Sequence, residues 1–254
     1  MLMNLSIRLK GKLAVVSGAA SGIGAATCTR LVQEGAEVML LDIDEARAKA
    51  VADEIGGQAI GLDVTDHQAC LRVAAKVAEE YRAAQVLVNC AGWDRMMPFL
   101  ETTLEFWDKV VQINLYGPMN LIKAFAPQMV GAGYGRIVNV ASDAGRVGSS
   151  GESVYSAAKG GVVALTKTLA RELARHGVTC NAVCPGPTQT PLLAAIAGEG
   201  EAADRIVSAM QKAIPLRRLA SPDDIAAAIA YFASDDAAYV TGQTLSVSGG
   251  LTMS

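Results

Sequence analysis

Tyr155 and Lys159, in "SVYSAAKGG", stand four residues apart, a spacing that puts a phenol and an ammonium one turn apart on the same face of a helix. A free phenol loses its proton near pH 10, and bringing that to about 7 takes roughly 4 kcal/mol of preferential stabilisation of the phenolate. The neighbouring lysine is expected to supply part of it. A tyrosine tuned in this way is a general acid or base suited to an alcohol or a ketone. Ser142 closes the apolar run "RIVNVAS", thirteen residues before the tyrosine, which sets its hydroxyl at the end of a strand. Taken singly, a serine there is a turn or cap residue, and a tyrosine alone carries no more weight. Their joint placement makes the argument.

The elements that must position these groups follow from hydropathy. Short runs rich in Val, Ile and Leu ("LAVVS", "EVMLL", "QAIGL", "QVLVN", "RIVNVA", "VTCNAV", "TLSVS") alternate with Ala-rich segments of helical spacing at about 22–34, 44–55, 66–82, 104–131, 153–176 and 222–234. Continuous apolar runs predict strands buried on both faces, hence an α/β fold with a doubly wound, Rossmann-type parallel sheet. Ligands then bind at the carboxyl ends of the strands. No linker divides residues 1–254, so one domain is expected, with a substrate lid at about 186–221, where Gly, Pro and two short amphipathic pieces break the rhythm.

Directly after the first strand, "SGAASGIGAA" places Gly18, Gly22 and Gly24 at the opening of a helix. Glycines there permit a tight turn and close approach of backbone amides to a pyrophosphate, while the helix end adds partial positive charge. Asp42 ends the second strand, 18 residues after Gly24. A carboxylate at that point accepts from ribose hydroxyls and repels a 2′-phosphate, which favours NAD over NADP; capping the following helix is its alternative use. Asp63 and Val64, and Asn89 to Gly92, sit where the same cleft should continue, or serve only as turns.

Together these residues resemble the short-chain dehydrogenase/reductase family nearly end to end. "SGAASGIG" is similar to its TGxxxGxG turn, with Ser17 for Thr; "NCAG" to its NNAG element, with Cys90 for the second Asn; "CPGPTQT" to its Pro-Gly segment; and "TGQTLSVSGG" to its last strand. Asn114, Ser142, Tyr155 and Lys159 match its catalytic tetrad. The resemblance implies that Tyr155 exchanges the proton with the substrate oxygen and Ser142 hydrogen-bonds that oxygen. Lys159 binds the nicotinamide ribose and lowers the tyrosine pKa, and Asn114 holds a water leading to solvent. It further implies that Ser21, Ile23, Ile43, Asp63, Val64, Asn89, Ala91, Gly92, Pro185, Gly186 and Thr188 join Gly18, Gly22, Gly24, Asp42, Tyr155 and Lys159 around NAD. No metal is required. A homotetramer is also implied, with the helices at 104–131 and 153–176 packing against their counterparts.

Within the family, "NCAGWDRMMPF" and "ASDAGRVGSSGESVYSAAKGG" resemble dehydrogenases of alicyclic hydroxyacyl-CoA thioesters. Trp93 and Leu192, with Met96, Leu193 and Ile196, are candidates for an apolar wall suited to a ring. Arg95, Arg146, Arg217 and Arg218 could meet acyl-CoA phosphates or be solvated surface charge. The expected reaction is therefore NAD-dependent interconversion of a secondary alcohol and a ketone on a cyclic, aryl or acyl-CoA substrate. A 3-oxoacyl reductase is the alternative, and an NAD-binding regulator that has lost catalysis is the reading outside enzymes.

Composition bounds the rest. A net charge of −3 without a basic block argues against nucleic acid, and no run of 18 apolar residues suggests a membrane span. Five cysteines without a secretory signal read as reduced, packed thiols in a cytoplasmic protein, and "GVTCNAVCPG" reads as a strand, not as a metal site with His176.

Overall fold

A computed structural model describes residues 7–198 and 200–253. Seven strands form one parallel sheet in the order β3-β2-β1-β4-β5-β6-β7: β1 (Leu13–Ser17), β2 (Glu37–Asp42), β3 (Gln58–Gly61), β4 (Val86–Asn89), β5 (Gly135–Val140), β6 (Val178–Pro185) and β7 (Thr244–Val247). The chain winds outward from β1 to one edge and returns to β4 for the other, so a crevice opens at the carboxyl ends of β1 and β4. The expected single doubly wound domain is what the chain forms.

Both faces of the sheet are covered, which explains the continuous apolar runs. Ala14, Val16, Val38 and Leu40 pack with Leu31 of α1 (Gly22–Gln33), Ala48 of α2 (Glu45–Ile55), and a further helix that carries Ile225 and Ile229. Leu13, Val15, Met39 and Leu87 point the other way, toward Val73 of α3 (His67–Glu80) and a helix bearing Phe125. Alternate residues of one strand thus feed two separate cores.

The segment expected to form one helix over 104–131 is divided. α4 (Leu104–Val111) passes through a π-helical stretch, Gln112–Tyr116, into α5 (Gly117–Ala132). Within that stretch the Asn114 Nδ2 donates to the Val110 carbonyl four residues back, at 2.9 Å, so a side chain intrudes on the backbone ladder. After β5 come a single turn, α6 (Ala144–Val147), and the long helix α7 (Ser153–Leu173). The irregular region 186–221 holds α8 (Pro191–Ala197) and α9 (Glu201–Ala213), and α10 (Pro222–Ala233) follows with a capping box from Ser221 and Asp224. Among the described residues no helix is long and apolar enough to cross a membrane.

Candidate active site

A cleft of about 770 Å³ runs across the carboxyl ends of the strands, and Gly18, Asp42, Gly92, Ser142, Tyr155 and Lys159 all line it. One end is built by the glycine turn. Gly18 has φ +67°, and a Cβ there would stand 2.7 Å from the Ala91 backbone, so only glycine lets the ends of β1 and β4 meet. Ser17 ties the same two strands, its hydroxyl accepting from the Cys90 and Ala91 amides at 3.1 and 3.3 Å. α2, α3 and α10 are capped by the side chains of Asp44, Asp66 and Ser221, whereas the Ser21 side chain leaves the first amides of α1 uncapped. An uncapped helix start behind a glycine turn fits a pyrophosphate.

Asp42 orders the adjoining loops, accepting from the Ala20 amide at 2.9 Å and from the Asp44 amide at 3.0 Å. The cap of α2 is Asp44, which accepts from the Arg47 amide, so Asp42 is not spent as a helix cap. Ser21, Gly22, Ile23, Gly24, Ile43, Asp63, Val64, Ala91, Pro185, Gly186 and Thr188 also line the cleft. Asn89 does not. All four residues of β4 are buried, and the Asn89 Nδ2 donates to Asn139 Oδ1 at 2.7 Å, which makes it a strand-to-strand tie below the cleft floor.

At the other end, Lys159 is buried and its Nζ donates to the Val140 carbonyl at 2.8 Å. Burial lowers its pKa to about 8, against the pull of the Cys90 and Cys184 thiols and Asp94. A Cβ on Gly92 would lie 3.6 Å from this ammonium and 3.1 Å from Asn114 Oδ1, so the glycine keeps the approach to Lys159 open. Ser142 accepts from the Ala144 amide at 3.1 Å and stands beside the Tyr155 hydroxyl.

The protein alone raises the pKa of Tyr155: burial is the largest cause, the Glu152 and Asp94 carboxylates add to it, and the Ser142 hydroxyl opposes. The ammonium of Lys159 lies 5.6 Å from the ring centre, too modest an influence to outweigh two carboxylates and a poorly hydrated site. Asn114 is held within the protein. Its Oδ1 accepts from the Trp93 amide, and its Nδ2 donates to the carbonyls of Trp93 and Val110, so the side chain is committed to the protein and does not line the cleft.

Trp93, Leu192, Met96, Leu193 and Ile196 reach the cleft, as expected of an apolar wall. The four arginines do not line it. Arg146 donates to Ser246, Arg218 pairs with Asp224, Arg217 donates to the Lys212 carbonyl, and Arg95 lies over the Phe106 ring. Sequence reasoning overlooked Glu152 and Asp94. The first was visible in principle, because Glu152, Tyr155 and Lys159 fall at i, i+3 and i+7.

The family model described as enoyl-(acyl carrier protein) reductase matches residues 18–252. The chain belongs to the short-chain dehydrogenase/reductase family. It is 38% identical to a (3R)-3-hydroxyacyl-CoA dehydrogenase of Canis lupus familiaris, over 97% of this chain and 98% of that protein. Against the 3-oxoacyl-[acyl-carrier-protein] reductase FabG of Thermotoga maritima it is 37% identical, covering 97% and 100%. A solved structure described as an NAD(P)-dependent gluconate 5-dehydrogenase of Beutenbergia cavernae, with NADP at low occupancy, superposes with a TM-score of 0.89 at 38% identity, covering 96% and 98%. Short-chain dehydrogenases/reductases bind a nicotinamide cofactor, and this member is an oxidoreductase acting on CH–OH and keto groups, which sets aside the non-enzymatic reading.

Proposed function

We propose that the protein interconverts a secondary alcohol and a ketone on a cyclic or aromatic carbon frame, presented free or as a CoA thioester, with NAD as cofactor. The observation that carries this reading is a single cleft holding Asp42 at one end and Ser142, Tyr155 and Lys159 at the other. Gly18 to Gly24 and the start of α1 would hold the pyrophosphate, Asp42 the adenosine ribose, and Lys159 the nicotinamide ribose. Bound there, the cofactor would accept hydride from the alcohol carbon or return it to the ketone, and would carry a positive charge when oxidised. Tyr155 then takes the proton from the alcohol, or returns it to the ketone, while Ser142 fixes the reacting oxygen. Lys159 keeps its charge near the phenolate because the Val140 carbonyl holds it in place.

Trp93, Met96, Leu192 and Ile196 offer an apolar wall to a ring, with α8 and α9 as the lid over it. A second reading, reduction of 3-oxoacyl thioesters, draws support from the names of the similar proteins. A steady-state panel of cyclic, aryl and acyl-CoA alcohols, run with NAD and NADP in parallel, separates the two. Turnover confined to NADPH with straight-chain 3-oxoacyl carriers overturns the cyclic reading.

Asp42→Ala should weaken NAD selectively. Loss of the ribose-facing carboxylate is expected to cut kcat/KM with NAD by about tenfold or more and to raise that with NADP, as removal of one charge-assisted contact and one like-charge repulsion requires. An unchanged NAD/NADP ratio would remove Asp42 from cofactor selection.

A homotetramer belongs to the same proposal. Phe99, Leu100, Leu104, Tyr116 and Met119 are exposed around α4 and α5, an apolar area suited to burial between subunits. Light scattering is expected to report a tetramer, and a monomer at micromolar concentration would contradict this assembly.

A further inference from the structure

Two carboxyl groups stand beside Tyr155 that hydride transfer as described above does not use. Glu152 precedes Tyr155 by three residues, shares its helix face at the start of α7, and lines the cleft. Asp94 arrives from the loop after β4. That loop is fastened to the turn before α7, where the Met97 amide donates to the Gly151 carbonyl at 2.8 Å. Asp94 is only 5% exposed, and neither of its carboxylate oxygens meets a hydrogen-bond donor among the described residues. A buried carboxylate without a donor is costly. The group that faces it is Glu152, a second acceptor. Two carboxyls so placed close a hydrogen bond only by sharing one proton.

We propose that Asp94 and Glu152 are positioning residues for the reaction: a carboxyl pair that holds one proton between its members and, by carrying one negative charge or two, sets how readily Tyr155 gives up its own. The inference rests on Tyr155 being the group that exchanges a proton with the substrate oxygen. Burial, with Glu152 adding to it, pushes Asp94 up to about 6, while the Lys159 ammonium pulls it down. Deprotonation of Asp94 adds a second carboxylate charge beside the phenol. The second charge favours the protonated phenol, which donates in ketone reduction, and opposes the phenolate, which accepts in alcohol oxidation. The other groups facing the phenol are the Lys159 ammonium, the Ser142 hydroxyl and the Cys90 thiol, whose own pKa burial raises to about 12. The Arg95 guanidinium is turned to the Phe106 ring.

Asp94→Asn and Glu152→Gln test the pair with two readouts. One is the pH profile of kcat/KM for alcohol oxidation, using the best alcohol of the panel above. The other is the near-ultraviolet phenolate absorbance of the NAD complex, with the same titration of Tyr155→Phe subtracted. Each variant is expected to move both the acid limb and the phenolate titration to lower pH by about one unit, a tenfold gain in phenolate at a given pH. Titrations that stay in place or move upward in both variants overturn the proposal. Glu152→Gln, on the cleft wall, decides the matter if Asp94→Asn does not fold. If no alcohol is turned over, the proposed function fails, while the absorbance titration still decides the role of the pair.

Discussion

Tyr155→Phe is expected to lower kcat/KM for alcohol oxidation by about 10²–10⁴-fold, the range that a positioned general acid or base contributes. The substitution removes one oxygen from a partly buried ring and keeps the ring itself, so α7 and the packing around Lys159 should be preserved. Lys159 stays bonded to Val140 through a contact that does not involve the phenol. NAD affinity, measured by fluorescence titration, should therefore remain near that of the unaltered protein. The combination is the diagnostic: retained binding with lost turnover places Tyr155 in the proton step, and turnover near the original rate would exclude it. Ser142 alone cannot substitute, because its hydroxyl already accepts from the Ala144 amide and an ordinary alcohol is a poor base near neutral pH.

The surroundings of Tyr155 also show where reading from sequence stops. The Tyr155–Lys159 pair was visible because helical spacing is a local property, and the glycine turn because its strand and helix neighbours flank it in the chain. The balance of charge on the phenol is not local. It depends on Asp94, which is sixty-one residues away and reaches the site only because the loop after β4 is tied to Gly151. Asn89 and Asn114 mark the same boundary. Both sit near strand and helix ends that approach the cleft, yet the Asn89 amide is used by Asn139 on the next strand, and that of Asn114 by Trp93 across the loop. The strands themselves were readable because burial on both faces of the central strands leaves near-continuous apolar runs, broken only by a few polar residues that bond within the sheet, such as Asn89 and Asn139. The π-helical break between α4 and α5 has no hydropathy signature, since its cause is one amide side chain competing for a backbone carbonyl.

Gly24→Ala should damage fold and cofactor site together. Gly24 lies in the first turn of α1 with its Cα pressed against the turn it follows, and a methyl group there would run into the Gly18 carbonyl oxygen, with the Gly18 carbonyl carbon only 2.7 Å away. Both obstacles are backbone, so neither can rotate aside. The turn must open or α1 must shift, and α1 packs against α10 and β2 through the buried Cys28 and Leu31. Forced overpacking of this kind costs about 3 kcal/mol, which in a chain of this size lowers Tm by roughly 5–10 °C. NAD affinity should fall by at least about tenfold as well, because the amides at the start of α1 and the Gly18 turn have to converge on one anion to bind it. Gly131→Ala is the matched control. It lies near the end of α5 with nothing within 4 Å of its added methyl group, so the same chemical change should raise stability by about 0.5–1 kcal/mol through the better helix propensity of alanine and leave NAD affinity alone. Thermal melting with and without NAD measures both effects in one experiment. A Gly24→Ala protein that melts with the unaltered one and gains the same stabilisation from NAD would show that this close approach is not what the cofactor turn depends on.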